Sequence, residues 1–359
     1  MAEAAAAPEG IFVGIDLGVL CVTASAKADG GCQVTVNTND VSGLSTPAAV
    51  SYDGKMRHVG MAAEGRLMSA PKQTLTHLPM ALSAASQAKR AEQYLWLFPT
   101  DDGKLGPVTY DGDEFSTEPC GPLSALLRTL SSYATGTAAP KELCVAVHDY
   151  MSDEELAVVR DALDIAGFKS QASVLRHSDA VAAAFAQSKG NNLLPEGTAE
   201  RTVAFVDIGV SHGTVSVVRY SRPAPAEAEE GEEAAAAEAA APTAEAAGPT
   251  AEFLYRVTDE NMGVQALIKA LFGEAKSRIE AKHKCTVKAH SKYGLRLQTE
   301  AVHALKQLSM LPDADLHLEA FMPEGPEGPE IDVAVHFTRE MLETTAAPML
   351  ARLKEVLAE

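Results

Sequence analysis

The chain has 359 residues, of which 46% are hydrophobic; 49 Asp and Glu outnumber 30 Lys and Arg, giving a formal net charge of −19 at pH 7. That length can bury substantial cores and predicts more than one structural unit. The acidic balance argues against gripping a nucleic-acid backbone, which needs clustered Lys and Arg, and against attachment to anionic membranes.

Met1–Gly10 holds alanines and two Glu residues, with no basic region and no long apolar core. It reads as a disordered start, not as a secretory signal or transit peptide. Residues 11–25 and 32–37 read as strands, turning at Asp29-Gly30-Gly31. Residues 47–60 hold a second hairpin that turns at Asp53-Gly54. Residues 69–100 are Ala-rich, then aromatic; they carry Trp96 beside Tyr94 and Phe98, read as core or as a subdomain edge. Asp101 to Thr109 reads as a turn-rich loop. A helix opened by Pro122 is predicted over 119–135.

Ser152 and Glu155, three positions apart, form a capping box for a helix running to about 166 and ended by Gly167. A small-residue helix within 174–188 is suited to close packing. Arg222–Ala251 is built from Ala, Glu and Pro, with seven Glu and one Arg. Such a stretch buries too little apolar surface to offset its ordering entropy. It is expected to be a disordered insertion at a hairpin tip between strands at 215–220 and 253–257, or an acidic tether for a partner. Helices follow at 264–283 and 296–311. Strands at 315–321 and 331–337 flank the repeat from Pro323 to Pro329, and a last helix begins after Thr338.

Five cysteines stand at 21, 32, 120, 144 and 285. None pairs as C-x-x-C, and no His spacing suggests a zinc site. The pattern fits a reducing compartment, and a cytoplasmic location is expected. Cys21 and Cys144 lie in apolar runs and are expected to pack as small hydrophobes. No run of about 18 apolar residues occurs, so no membrane span is expected.

Two segments carry chemistry: Gly14-Ile15-Asp16-Leu17-Gly18 and Phe205-Val206-Asp207-Ile208-Gly209. Each is an apolar strand entering a tight turn with a carboxylate at its tip. Ligands of open α/β sheets sit beyond the carboxyl ends of strands. Glycine there lets backbone N–H groups approach a phosphate, and Asp can hold a hydrated Mg²⁺. Two such turns suggest a duplicated fold whose halves face each other across a nucleotide.

These residues resemble the actin-like ATPase fold and, within it, the nucleotide-binding domain of the 70- and 110-kilodalton heat-shock chaperones. Asn39-Asp40, Ser45-Thr46-Pro47-Ala48-Ala49-Val50 and Val59-Gly60-Met61-Ala62-Ala63 follow the family's order. So do Ile165-Ala166-Gly167-Phe168, Ser178-Asp179-Ala180-Val181-Ala182-Ala183-Ala184 and Thr338-Arg339-Glu340. The resemblance implies an α/β fold of two ribonuclease-H-like lobes with inserted subdomains. Lobe I is expected over 11–190 and a partial lobe II over 191–359, the second lobe being incomplete because the family's next strand and its G-G-S-T-R loop are not found.

The resemblance also implies nucleotide contacts at Asp16, Gly18, Asp207, Gly209, Gly263, Lys306 and Ser309, with Mg²⁺ at Asp16 and Asp207. Departures from the family weaken this. The family's two threonines after Gly18 are Val19 and Leu20 here. Val210 and Ser211 replace two glycines, Val264 replaces another, and Pro79 aligns with a phosphate-stabilising lysine. Val302 and Leu305 replace two of the four base-binding residues. Phosphoryl transfer rests on positioning and electrostatics, so no catalytic residue is assigned.

The expected function is a chaperone-related pseudo-ATPase acting as a co-chaperone or partner subunit through protein contacts. The alternatives are a structural subunit of a larger assembly with a dead nucleotide site, and an ATP-binding chaperone with residual activity. ATP or ADP with Mg²⁺, or no cofactor, are both consistent with the residues. Asp16 and Asp207 can equally be turn formers, His212 a phosphate donor or a partly exposed polar residue, and Lys306 a base clamp or a solvated helix residue.

Overall fold

Apolar and β-branched residues alternate along Phe12–Asp16 (β1) and Leu20–Ala26 (β2), which pair antiparallel about a turn at 17–19. In the computed structural model the described residues are 10–27, 31–35, 43–90, 102–222, 249–289, 291–325 and 328–359. The remaining strands in chain order are Gln33–Val34 (β3), Thr46–Pro47 (β4), Val50–Asp53 (β5), Met56–Val59 (β6), Thr74–Leu75 (β7), Leu105–Tyr110 (β8), Asp113–Thr117 (β9), Glu142–Val147 (β10), Ala172–Arg176 (β11), Glu200–Ile208 (β12), Gly213–Ser221 (β13), Thr250–Asp259 (β14), Asp313–Phe321 (β15) and Ile331–Thr338 (β16). The helices are Met61–Glu64 (α1), Ala84–Arg90 (α2), Cys120–Thr135 (α3), Asp153–Ala166 (α4), His177–Lys189 (α5), Val264–His283 (α6), Lys292–Leu308 (α7) and Arg339–Ala358 (α8).

The first sheet has the order β11-β10-β1-β2-β3, with β1, β10 and β11 mutually parallel. Their carboxyl ends therefore share one edge. Val13, Ile15, Leu143 and Val145 pack with Leu123, Leu126, Leu127 and Leu130 of α3 and Val159 and Leu163 of α4. Each such fully buried aliphatic side chain contributes about 1.5–3 kcal/mol. The capping box of α4 is formed: Glu155 N donates to Ser152 Oγ at 3.2 Å, and Ser152 N donates to Glu155 Oε2 at 3.0 Å. Gly167 ends α4 with φ of 90°, a left-handed position that glycine adopts without Cβ strain.

The second sheet is the antiparallel meander β12-β13-β14. Ala182 of α5 packs with Val218 and Tyr220 on one face, and Met262 and Val356 of α8 with Val215 on the other. Among the described residues β12 pairs with β13 alone, and Val206 and Ile208 on its flank are exposed. A third unit packs β15 and β16 against α6 and α7 around Phe321, Phe337, Leu297 and Ile279.

Several expectations change. Asp101–Thr109 is no loop from residue 105 onward: β8 pairs with β9, and Tyr110 and Phe115 pack edge-on to Tyr52 at 6.0 and 5.8 Å. The hairpin was hidden because Gly106 and Pro107 sit at a register shift inside the strand, where both residues are tolerated. The helix read over 296–311 runs over 292–308, since Ser291 Oγ accepts from Gly294 N at 3.1 Å and fixes the start. The small-residue helix expected within 174–188 is present as α5, directly after β11. Thr250 and Ala251, assigned to the insertion, lie in β14.

Residues 1–9, the Asp29-Gly30 turn, Asn39-Asp40, the Trp96 cluster, most of the Ala/Glu-rich insertion (223–248) and Pro326-Glu327 lie outside the described residues. Among the described residues, no helix is long and apolar enough to cross a membrane.

Candidate functional site

The shared edge of β1, β10 and β11 ends in Asp16, in the loop from His148, and in His177 at the start of α5. The end of β12 brings Asp207 and the turn Gly209–His212 to the same place. His148 and His177 have ring centroids 5.0 Å apart, His148 and His212 4.8 Å, and His177 and His212 6.2 Å. One nitrogen from each of the three rings lies within 4.8 Å of the others. Tyr150 stacks on His148 at 5.1 Å, and the Arg90 guanidinium sits 4.8 Å from the Tyr150 ring centroid.

The surroundings hold these rings in place. Arg176 Nη1 donates to the carbonyls of His148, Asp149 and Met151 at 3.2, 3.0 and 2.7 Å, which pins the loop after β10. Asp149 accepts from Ser178 N at 3.2 Å and from the Ser178 hydroxyl, which fixes the first turn of α5. Ser211 Oγ lies 2.9 Å from His212 Nδ1. His177 Nε2 lies 2.7 Å from Asp16 Oδ1, a close charge contact without hydrogen-bond alignment. His148 is 2% exposed, and neither of its ring nitrogens has a hydrogen-bond partner.

Burial, then the neighbouring His212, His177 and Arg90, holds His148 well below the usual imidazole range. Burial, reinforced by His177, lowers His212 to about 4. For His177 burial opposes the charged form, but the contact with Asp16 and the charges of Asp16, Asp149 and Asp207 outweigh it, and the net shift is upward. Asp207 is raised, by burial first and by the charges of Asp16 and Asp149, against the opposing effect of His177. Desolvation and like charge act here in the expected directions.

Asp16 and Asp207 thus converge on His177. Gly18 and Gly209 occupy the two turns; Gly18 O accepts from Cys21 Sγ at 3.4 Å, and Gly209 N donates to His212 O at 2.9 Å. Gly263 has a packing role: a Cβ there would lie 2.4 Å from His212 N and 2.5 Å from Ser211 C. Lys306 and Ser309 sit at the end of α7, where the Lys306 charge acts on Glu64 of α1 and Ser309 Oγ donates to Lys306 O at 2.6 Å.

The turn does not fit a Mg²⁺-nucleotide. Gly209 N–H is spent on His212 O, and Val264 N–H and Gln265 N–H are spent on Gly209 O and Val210 O at 3.0 and 2.8 Å. The Asp16 carboxylate contacts His177. Leu20 presents no hydroxyl, and Pro79 is buried in a short 3₁₀ turn. Beside the Ser211 hydroxyl, which is engaged with His212, the side-chain donors gathered here are imidazoles, whereas a phosphate favours an array of amides and hydroxyls.

Two expectations need correction. His212 is not a partly exposed polar residue but is 5% exposed. The absence of metal-like His spacing did not preclude a cluster, because the three rings come from three distant segments. His148 and His177 were not singled out. Each follows directly on a strand of the first sheet, the same position that drew attention to Asp16 and Asp207.

The sequence model of the Hsp70 protein family matches residues 12–223. Heat shock protein 110 of Caenorhabditis elegans is 26% identical over 357 residues, covering 96% of this chain and 41% of that protein. Heat shock protein hsp88 of Neurospora crassa is 26% identical over 360 residues, covering 97% of this chain and 46% of its own length. Heat shock 70 kDa protein 14 of Arabidopsis thaliana is 25% identical over 354 residues, covering 96% of this chain and 38% of its own length. The chain spans less than half the length of the curated relatives it matches. With the family's residues in order from Asp16 to Thr338 and the parallel-edged first sheet in place, the chain belongs to the Hsp70 family and has the actin-like ATPase fold of its nucleotide-binding domain.

Proposed function

We propose that this chain is a chaperone-related, nucleotide-binding-domain-like protein that works through protein contacts as a partner subunit in a heat-shock 70 system, without turning over ATP. One observation carries the reading. The space between the two Asp turns holds the rings of Tyr150, His148, His177 and His212, and in the second turn Gly209 N–H is already bonded to His212 O. Asp16, Gly18, Asp207, Gly209 and Gly263 keep the family's turns as scaffold. Loss of even one donor to a developing charge costs about 10²–10³ in rate, and here the family's hydroxyls and lysine are replaced together.

A role through contacts is supported by the β12 edge. Val206 and Ile208 are 49% and 40% exposed beside a strand with one free side among the described residues, a surface suited to a partner strand or loop. The test is steady-state hydrolysis of Mg-ATP by the purified chain beside Asp16→Ala, with calorimetric titration of Mg-ATP and Mg-ADP. No turnover above the Asp16→Ala background is expected. Robust hydrolysis abolished by Asp16→Ala would overturn the reading.

A further inference from the structure

We infer that His148, His177 and His212 form a binding site for a divalent transition metal of the zinc type, and that the ion clasps the first sheet to the second. The three ligands come from the loop after β10, the first residue of α5 and the turn between β12 and β13. Two of these belong to the first sheet's edge and one to the second's, so a bound ion would bridge them.

Three independent features favour this over three rings packed as ordinary aromatics. The first is spacing. The available nitrogens already lie within 4.8 Å of one another. Tetrahedral zinc with Zn–N near 2.0–2.1 Å needs about 3.3 Å between nitrogens, a closure that side-chain rotation supplies. The second is the state of His148. It is buried, and both of its ring nitrogens lack hydrogen-bond partners. A buried polar group without a partner is costly and rare, and coordination would satisfy one of the two.

The third is the supporting shell. Ser211 engages Nδ1 of His212, leaving the other nitrogen for a metal, and Asp16 stands beside His177. Hydroxyl and carboxylate partners of this kind orient ligating imidazoles. Arg176 and the Asp149–Ser178 contacts fix the backbones that carry His148 and His177.

The donor chemistry selects the ion. Imidazole suits Zn²⁺, Co²⁺, Ni²⁺ and Cu²⁺, whereas Mg²⁺ takes oxygen ligands. Three His ligands leave a fourth position, open to water or to a neighbouring carboxylate. Asp16, Asp149 and Asp207 around His177 offset the added charge, against Arg90 on the side of His148 and His212.

The experiment uses the full, untagged chain stripped with a chelator. It is titrated with Zn²⁺ by calorimetry and with Co²⁺ by visible absorption. One equivalent of Co²⁺ should bind with the strong ligand-field bands of a tetrahedral site. Zn²⁺ should displace it and millimolar Mg²⁺ should not. His148→Asn and His212→Gln should each weaken Co²⁺ binding at least about 100-fold, while His303→Gln, on the exposed face of α7, should leave it unchanged. Zn²⁺ should raise the melting temperature of the wild-type chain and not that of His212→Gln. No saturable binding of either ion to the wild-type chain would overturn the site. So would binding that survives both His148→Asn and His212→Gln, which would place it elsewhere. Binding with no change in melting temperature would overturn the clasp.

Discussion

Arg90, the last residue of α2, donates from Nη2 to Glu260 Oε1 at 2.7 Å, and so ties the first sheet's side of the cleft to the end of β14. The two side chains are 3% and 10% exposed. Arg90 also donates to Met80 O at 3.1 Å and lies 3.7 Å from Glu155 Oε1. Removing one partner of a buried pair is typically worth about 3–5 kcal/mol, but Lys89 Nζ also lies 3.2 Å from Glu260 Oε2 and keeps part of that charge paired. Arg90→Ala should therefore lower stability by up to about that amount in urea unfolding. Arg90→Ala with Glu260→Gln should recover part of it, because the stranded carboxylate is gone. Additive losses in the double variant would show that the two residues act independently.

Gly263 supplies a second prediction. Its φ of −87° is open to any residue, so the need for glycine is spatial. A Cβ would stand 2.4, 2.5 and 2.7 Å from His212 N, Ser211 C and Val210 O, all backbone atoms. Gly263→Ala must push the β12–β13 turn away from the start of α6 and break the Val264 and Gln265 bonds to it. A loss of about 2–4 kcal/mol is expected, at the upper end of single substitutions. A melting temperature within a degree of wild type would contradict this packing.

How much of this was legible beforehand varies with the range of the interaction that sets it. The α4 start was readable because Ser152 and Glu155 are three residues apart. Asp16 and Asp207 were readable because a strand, a carboxylate and a glycine are contiguous. The β8–β9 hairpin was not, since it is supported by Tyr52, 58 and 63 residues away, packing on Tyr110 and Phe115. The histidine cluster was not, because its members are separated by 29 and 35 residues and only the sheet edge assembles them. Arg90 was not, because Glu260, the carboxylate it donates to across the cleft, lies 170 residues on.

His77 gives a pH prediction. It caps a short 3₁₀ turn with φ of 55°, and burial lowers its pKa to about 3. Its folded pKa lies below the unfolded value near 6.5, so the unfolded chain takes up the proton first. Stability from this residue is full above about pH 6.5 and is lost as pH falls toward 3. At pH 4.5 the loss is about 2–3 kcal/mol. His77→Asn keeps a residue that tolerates the left-handed backbone and removes the titration. The wild-type chain should lose that much more stability than His77→Asn between pH 7 and 4.5, measured by urea unfolding in chelator. Parallel pH profiles would mean that His77 titrates normally in the fold.

The insertion between β13 and β14 gives the last prediction. Ser221 and Thr250 are paired in the ladder, with their hydroxyl oxygens 2.8 Å apart. Arg222 Nη2 donates to Leu194 O at 2.7 Å, so the ladder is anchored before residue 223 is reached. The strand ends are already held at the separation a tight turn requires. Replacing 223–248 with a short Asn-Gly-containing turn should leave the melting temperature nearly unchanged or slightly raised. Loop-closure cost changes by only about 0.6 kcal/mol per doubling of length, and a shorter loop favours the fold. A fall of many degrees would show that the removed segment packs on the chain and contributes to its core.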